Sequence, residues 1–71
     1  TTIEANLLSA LAKSAGIALS RNELITRCQI DGTERTVDVQ VTRLRRKIEN
    51  DPREPRYLQT IRGQGYVLHP D

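Results

Sequence analysis

The chain has 71 residues, two tyrosines as its only aromatic side chains, and one cysteine, Cys28, which excludes an internal disulfide and a cysteine-cluster metal site. A chain of this length forms one small domain, residues 1–71, and no apolar run approaches the roughly 20 residues of a membrane span. Residues 1–34 hold three basic and four acidic side chains and residues 35–62 hold eight and four, which predicts a polyanionic partner for the second half.

Two helices are predicted in the first half of the chain. A capping-box pattern ending at Glu4 and apolar residues at helical spacing predict a helix over about residues 2–15, which ends before Gly16. Ser20 begins a second capping-box pattern, and it predicts a helix over about residues 21–29. Their apolar faces are typical of a buried core.

The third helix, predicted over about residues 34–50 after an Asp-Gly turn, has two different faces. Apolar residues at steps of four, three and four form one stripe, namely Val37, Val41, Leu44 and Ile48. The opposite side carries Arg35, Val39, Thr42, Arg43 and Arg46. On its flank lie Thr36, Gln40 and Lys47. These groups suit phosphates and base edges, although a basic helix face can equally be a solvated surface.

Arg35 occupies an unfavourable place for a cation. It lies in the first turn of the third helix, where the helix dipole favours negative charge. Its position therefore indicates either a nearby phosphate or a surface pair with Glu34 or Asp38, and the sequence leaves both open.

A β-hairpin is predicted over about residues 57–68, after a basic connector that contains two prolines. Because side chains alternate along a strand, Thr60 and Arg62 share one face, and Arg62 lies at the glycine-rich tip. A strand rather than a helix follows the glycines, so this turn is no dinucleotide-binding loop. The expected fold is mainly α with a C-terminal β-hairpin (α+β), a winged helix-turn-helix of three helices and a wing.

The third helix and the hairpin together resemble a known family. The segment from Glu34 to Glu49, then Asp51-Pro52, then the segment from Tyr57 to Val67 with its Arg-Gly-x-Gly-Tyr turn, is similar to the effector domain of OmpR/PhoB-type response regulators. The Val39-Gln40 pair and the stretch from Pro55 to Thr60 are most similar to the OmpR branch. The resemblance covers essentially the whole chain and implies a winged helix-turn-helix that binds promoter DNA.

The resemblance also implies which residues contact DNA. The third helix would enter the major groove, with Val39 and Arg43 contacting bases. The wing would enter the adjacent minor groove through Arg62, with Thr60 beside it. The remaining candidates on the helix, mainly for phosphate contacts, are Arg35, Thr36, Gln40, Thr42, Arg45 and Arg46. Arg45 lies beside the apolar stripe rather than opposite it, so periodicity supports this residue least.

The partners implied by the resemblance extend beyond these residues. In the family, a phosphorylatable receiver domain and a small antiparallel sheet precede the three helices, and neither is present here. A sensor kinase would act only through that receiver, and the first helix would expose part of its apolar side. The resemblance further implies a bacterial cytoplasmic protein that joins the nucleoid on binding and forms a dimer on DNA. In the family the loop at 29–34 can contact RNA polymerase, but here that loop is shorter.

Two other function classes make different demands on the sequence. A winged helix can instead be a protein-docking module, which should place apolar or aromatic anchors on the exposed face of the third helix. An enzyme is not indicated, because no paired carboxylates, metal-ligand spacing or nucleophile–base pattern is present and Cys28 has no base near it in the sequence. No cofactor or metal is expected.

Overall fold

The computed structural model describes residues 2–69, which form three helices followed by a two-stranded antiparallel sheet. The elements in chain order are α1 (Thr2–Lys13), α2 (Arg21–Cys28), α3 (Glu34–Ile48), β1 (Leu58–Ile61) and β2 (Gly65–Leu68). This architecture confirms the predicted winged helix-turn-helix, in which α2 and α3 are joined by a short turn and the hairpin is the wing.

The helix ends have clear local causes. The Ser20 hydroxyl accepts the backbone N–H of Glu23 at 3.1 Å and begins α2, as its capping pattern predicts. Helix α1 ends at Lys13, two residues earlier than predicted, and the chain then turns through Gly16 at φ 81°. Helix α3 ends at Ile48 rather than near 50, because Glu49 is already extended (φ −99°, ψ 142°).

The core is aliphatic and lies where the three helices meet the wing. The first three positions of the predicted α3 stripe, Val37, Val41 and Leu44, are buried, and the fourth, Ile48, packs partly against the same cluster. The side chains with the least exposure come from all three helices and from β1, namely Leu7, Leu11, Leu24, Val37, Val41 and Leu58. Helix α3 is thus held by its apolar side, which leaves its opposite side at the surface.

The wing is anchored to the body through its second strand. Strand β1 pairs with β2 in the register Leu58 to Leu68 and Thr60 to Tyr66. On the other side of β2, Leu19 exchanges two backbone hydrogen bonds with Tyr66, of 2.8 and 2.9 Å. The short link between α1 and α2 therefore acts as a third strand, which gives the wing a fixed edge on the helical core.

Candidate nucleic-acid interface

The outer face of α3 presents the side chains that the helical period predicts. Five of them are exposed together, namely Arg35, Val39, Thr42, Arg43 and Arg46. Val39 is 43% exposed, one of two large apolar side chains described as exposed in residues 2–69. The Thr42 hydroxyl donates to the Asp38 carbonyl at 2.9 Å, so this side chain is held against its own helix.

Arg35 stands apart from the two carboxylates that could have paired with it. The carboxylates of Glu34 and Asp38 pair with Arg21 of α2, at 3.3 and 3.6 Å. Within residues 2–69, Arg35 forms no ion pair. The surface-pair interpretation is therefore wrong, and an exposed cation remains at the unfavourable end of α3.

Exposed arginines without a carboxylate partner occur on both α3 and the wing. Within the described part of the chain, the ion pairs use Arg21, Arg27 and Lys47 as their cations. Arg35, Arg43 and Arg46 of α3 and Arg62 of the wing are exposed and outside those pairs. Four of the exposed cations outside those pairs therefore lie on the surfaces predicted to meet DNA, and Lys13, Arg53 and Arg56 lie elsewhere, on α1 and in the connector.

The wing places Arg62 at its tip, directly after β1. The turn is closed by the backbone N–H of Gln64, which donates to the Ile61 carbonyl at 2.9 Å, and it passes through Gly63 at φ 79°. A cleft of about 340 Å³ separates this turn from Glu34 and the start of α2. The wing tip with Arg62 and the outer face of α3 with Arg43 are two probes carried by different elements.

Besides Thr42, three of the predicted DNA-contacting side chains make internal contacts. Thr36 accepts the N–H of Thr33 at 3.3 Å, which caps α3. Thr60 is exposed, but its hydroxyl accepts a hydrogen bond of 2.7 Å from Nη2 of Arg45. Arg45 is half-buried, and its Nε donates to the Leu58 carbonyl at 2.9 Å.

Gln40 is also partly turned into the protein. Its Oε1 atom is buried and has no hydrogen-bond partner among the described residues. A phosphate is an acceptor, so it would need the amide Nε2 as donor. An inward Oε1 is compatible with an outward Nε2, and it gives Gln40 one usable polar group for a partner.

A polar network behind the interface was not predicted. The Tyr66 hydroxyl on β2 donates to Oδ1 of Asp38 on α3, and the second carboxylate oxygen of Asp38 pairs with Arg21. Burial and then the Asp38 hydrogen bond raise the pKa of Tyr66 to about 12. The guanidinium of Arg45 lies 5.6 Å from the centre of the Tyr66 ring. These contacts join α2, α3 and the wing, and no local pattern signals them because the partners are far apart in sequence.

Glu49 is a second residue whose role was missed. Its buried carboxylate accepts the backbone N–H groups of Arg56, Tyr57 and Leu58 at 2.8–3.2 Å. Burial raises its pKa, but these N–H donors and the nearby charge of Arg45 act in the opposite direction and hold it below the usual range. Glu49 therefore ties the end of α3 to the start of the wing.

Three further features of the described residues concern metal ligands, the cysteine and membrane-spanning length. No group of His, Cys, Asp and Glu there could hold a metal ion. Cys28 is buried in the core, and that burial raises the pKa of its thiol, which disfavours the reactive thiolate. Within residues 2–69, no helix has the length and apolarity needed to cross a membrane.

A helix-turn-helix followed by a two-stranded wing is the architecture of the winged-helix class. Here the second helix of the motif and the tip of the wing both expose arginines that lie outside the ion pairs. A family model described as "Transcriptional regulatory protein, C terminal" matches residues 1–68, and the chain belongs to this family. It is an effector domain of the OmpR/PhoB response-regulator type, a family of DNA-binding transcription regulators.

Individual relatives agree with this assignment. Protein PetR of Rhodobacter capsulatus is 53% identical over 79 residues, with 100% of this chain and 33% of PetR covered. The Klebsiella pneumoniae RstA DNA-binding domain, crystallised with the RstA box, has a TM-score of 0.88 at 34% identity, covering 100% of this chain and 73% of that one. The Thermotoga maritima regulator DrrB, an OmpR/PhoB homolog, has a TM-score of 0.89 at 36% identity over 97% of this chain and 32% of DrrB. The chain spans about a third of the curated relatives' length.

Proposed function

We propose that this chain binds double-stranded promoter DNA sequence-specifically as the effector domain of a bacterial two-component regulator. In this proposal α3 enters the major groove and Arg62 of the wing enters the adjacent minor groove. The supporting observation is the set of exposed, unpaired arginines on the outer face of α3 and at the wing tip. The RstA domain was crystallised in complex with the RstA box, and this supports the same kind of partner for this chain.

The side chains divide by chemistry into reading and positioning groups. Arg43 can bond two acceptors of a guanine at once, and Val39 can contact a thymine methyl. Arg35 and Arg46 are exposed at the same face and suit phosphates, as does the amide Nε2 of Gln40 as a donor, whereas the Thr42 hydroxyl already donates to the Asp38 carbonyl. Thr36 and Thr60 already serve internal hydrogen bonds, so we assign them to holding the interface in shape.

The docking-module alternative receives less support from the same face. A protein-docking surface needs aromatic or apolar anchors in a desolvated patch. The outer face of α3 offers one such residue, Val39, surrounded by arginines. That composition favours a phosphate-bearing partner.

The wider assembly is part of the proposal. We propose that the whole protein is cytoplasmic and carries a receiver domain phosphorylated by a sensor kinase, and that it binds DNA as a dimer. The loop at 29–34 is exposed except for Ile30, and it is a candidate surface for RNA polymerase.

Selection of bound sites from random double-stranded DNA tests the central proposal. The 71-residue chain should enrich a defined motif, and its affinity should fall steeply as salt rises, because phosphate contacts release counterions. A pool that enriches no motif, together with binding that does not respond to salt, would refute DNA binding as the function.

Replacing Arg43 with alanine should weaken binding to the selected site by about 1–3 kcal/mol and relax the preference at one base position. The loss arises because a bidentate contact to one base is removed while the fold keeps its core. Binding constants for the selected site and for each single-base variant measure the effect. Equal losses on selected and scrambled DNA would make Arg43 a phosphate contact.

Replacing Arg62 with alanine should weaken binding most on sites with a narrow, A·T-rich flanking minor groove, by about 1–3 kcal/mol. A narrow minor groove concentrates negative potential, which an inserted guanidinium exploits. Two DNA duplexes that differ only in the flank provide the measurement. An equal loss of affinity on duplexes with G·C-rich flanks would contradict the assignment of Arg62 to the minor groove.

A further inference from the structure

We propose that Arg45 and Thr60 form a strut between α3 and β1 that sets the spacing of the two DNA probes. Arg45 would then govern sequence preference as a positioning residue rather than as a phosphate contact. This inference rests on the proposed DNA-binding function. Its supports are the edge of β1 that no strand in residues 2–69 pairs with, the hydrogen bonds of the Arg45 guanidinium and the elements that carry the two probes.

Strand β1 has an outer edge that needs hydrogen-bond partners. Tyr66 uses its backbone N–H and C=O on Leu19, so its cross-strand partner Thr60 belongs to a non-hydrogen-bonded pair. Such pairs alternate with hydrogen-bonded ones along an antiparallel ladder. The Leu58–Leu68 pair is therefore also non-hydrogen-bonded, and both backbone groups of Leu58 point away from β2.

Helix α3 and Glu49, the residue after it, supply the hydrogen-bond partners that a strand on the outer edge of β1 would otherwise provide. Glu49 accepts the Leu58 N–H at 2.8 Å, and Nε of Arg45 donates to the Leu58 carbonyl at 2.9 Å. Leu58 is fully buried, so neither group can turn to water without cost. The pair Arg45 and Glu49 therefore fixes β1 against α3 at one residue.

The rest of the Arg45 guanidinium points along the wing. Its Nη2 donates to the Thr60 hydroxyl at 2.7 Å, and its carbon lies 5.6 Å from the centre of the Tyr66 ring. Two of the three guanidinium nitrogens are thus used on β1, while the plane is held beside β2. A phosphate could be met only by the remaining N–H donors, from the position in which these internal contacts hold the guanidinium.

The strut joins the two elements that carry the probes. Arg43 is two residues before Arg45 on α3, and Arg62 is two residues after Thr60 on the wing. Hydrogen bonds weaken steeply when distance or angle departs from the optimum, so both probes engage DNA together only if their spacing is held. Loss of the strut should therefore loosen the wing. The chain should then distinguish less well between DNA sites with A·T-rich flanks and sites with G·C-rich flanks.

The experiment uses Thr60→Val and Arg45→Met in the 71-residue chain. Thr60→Val removes the acceptor of Nη2, keeps every charge, and places a good strand-former at an exposed strand position. Affinity is measured over a range of salt concentrations on duplexes with the selected core and either A·T-rich or G·C-rich flanks. Arg53→Met, an exposed arginine in the connector, controls for the loss of one charge.

In the expected result, Thr60→Val reduces the ratio of affinities for A·T-flanked and G·C-flanked duplexes about fivefold, because one positioning hydrogen bond is lost. The slope of affinity against salt concentration stays unchanged, since no charge is removed. Arg45→Met gives at least this reduction, because it also removes the donor to the Leu58 carbonyl, and adding Thr60→Val to it changes little further, since the Nη2 donor is already gone. If Thr60→Val has the same ratio of affinities for the two flanks as the unaltered chain, the proposed role of the strut is wrong. A uniform loss in Arg45→Met with a salt slope smaller by about one makes Arg45 a phosphate contact.

The outcomes separate this inference from the proposed function. If the unaltered chain enriches no DNA motif, the proposed function fails. If the unaltered chain selects a motif with a preferred flank and Thr60→Val keeps that preference, DNA binding stands and the strut fails. Thermal unfolding of each variant confirms that the compared proteins are folded.

Discussion

Replacing Glu49 with alanine is expected to destabilise the domain by about 2–5 kcal/mol, because the backbone N–H groups of Tyr57 and Leu58 lose their acceptor at a buried site. A domain of this size has a free energy of unfolding of roughly 4–10 kcal/mol, so much of its stability depends on this carboxylate. Urea unfolding followed by circular dichroism measures the loss. Glu54→Ala, at an exposed position in the same connector, is the matched control and should change stability little.

The same residue predicts a dependence of stability on pH. The pKa of Glu49 is lowered from its ordinary value of 4.5, so its contribution is complete above that value and is lost as pH falls through the lower folded-state pKa. A hydrogen bond from Lys47 lowers the pKa of Glu4, so the contribution of Glu4 to the stability of the domain is also lost as pH falls in the acid range. Glu49→Gln should therefore flatten the acid limb of the stability profile in part. An acid limb identical to that of the unaltered chain would contradict the assigned role.

Replacing Gly65 with alanine should destabilise the domain by about 2–4 kcal/mol and displace the wing. An added Cβ would lie 2.0 Å from the Leu19 carbonyl oxygen, and the backbone there has φ +139°, which side chains rarely adopt. Both obstacles are backbone features, so no side-chain movement relieves them. Thermal unfolding measures the stability. The ratio of affinities for duplexes with A·T-rich and G·C-rich flanks reports whether the wing is displaced.

Gly63→Ala supplies the comparison for Gly65. Gly63 also has a positive φ, +79°, but a Cβ there meets nothing within 4 Å. Its cost should be the conformational part alone, about 1–2 kcal/mol. If both alanine variants lost the same stability, close packing of β2 on Leu19 would not be the reason that Gly65 is required.

Regular local patterns accounted for much of the fold. The apolar stripe of α3 repeats with the helical period, so its buried side and its exposed side follow from spacing alone. Ser20 was recognised as a helix start because its hydroxyl acts within three residues. The hairpin followed from glycines between two strand-forming segments. The helix ends were less well predicted, since the ends of α1 and α3 depend on the turns that follow.

By itself, the sequence determined the order of the helices and the wing, the face of α3 that carries Arg43, and the location of Arg62 at a tip. Each of these depends on neighbours a few residues apart. Only the tertiary structure decided that Arg45 holds the wing, that Glu49 receives its first strand, and that Tyr66 meets Asp38 across 28 positions. A charged side chain looks the same in sequence whether it meets solvent or a buried backbone group. Its role is set by which distant segment packs beside it.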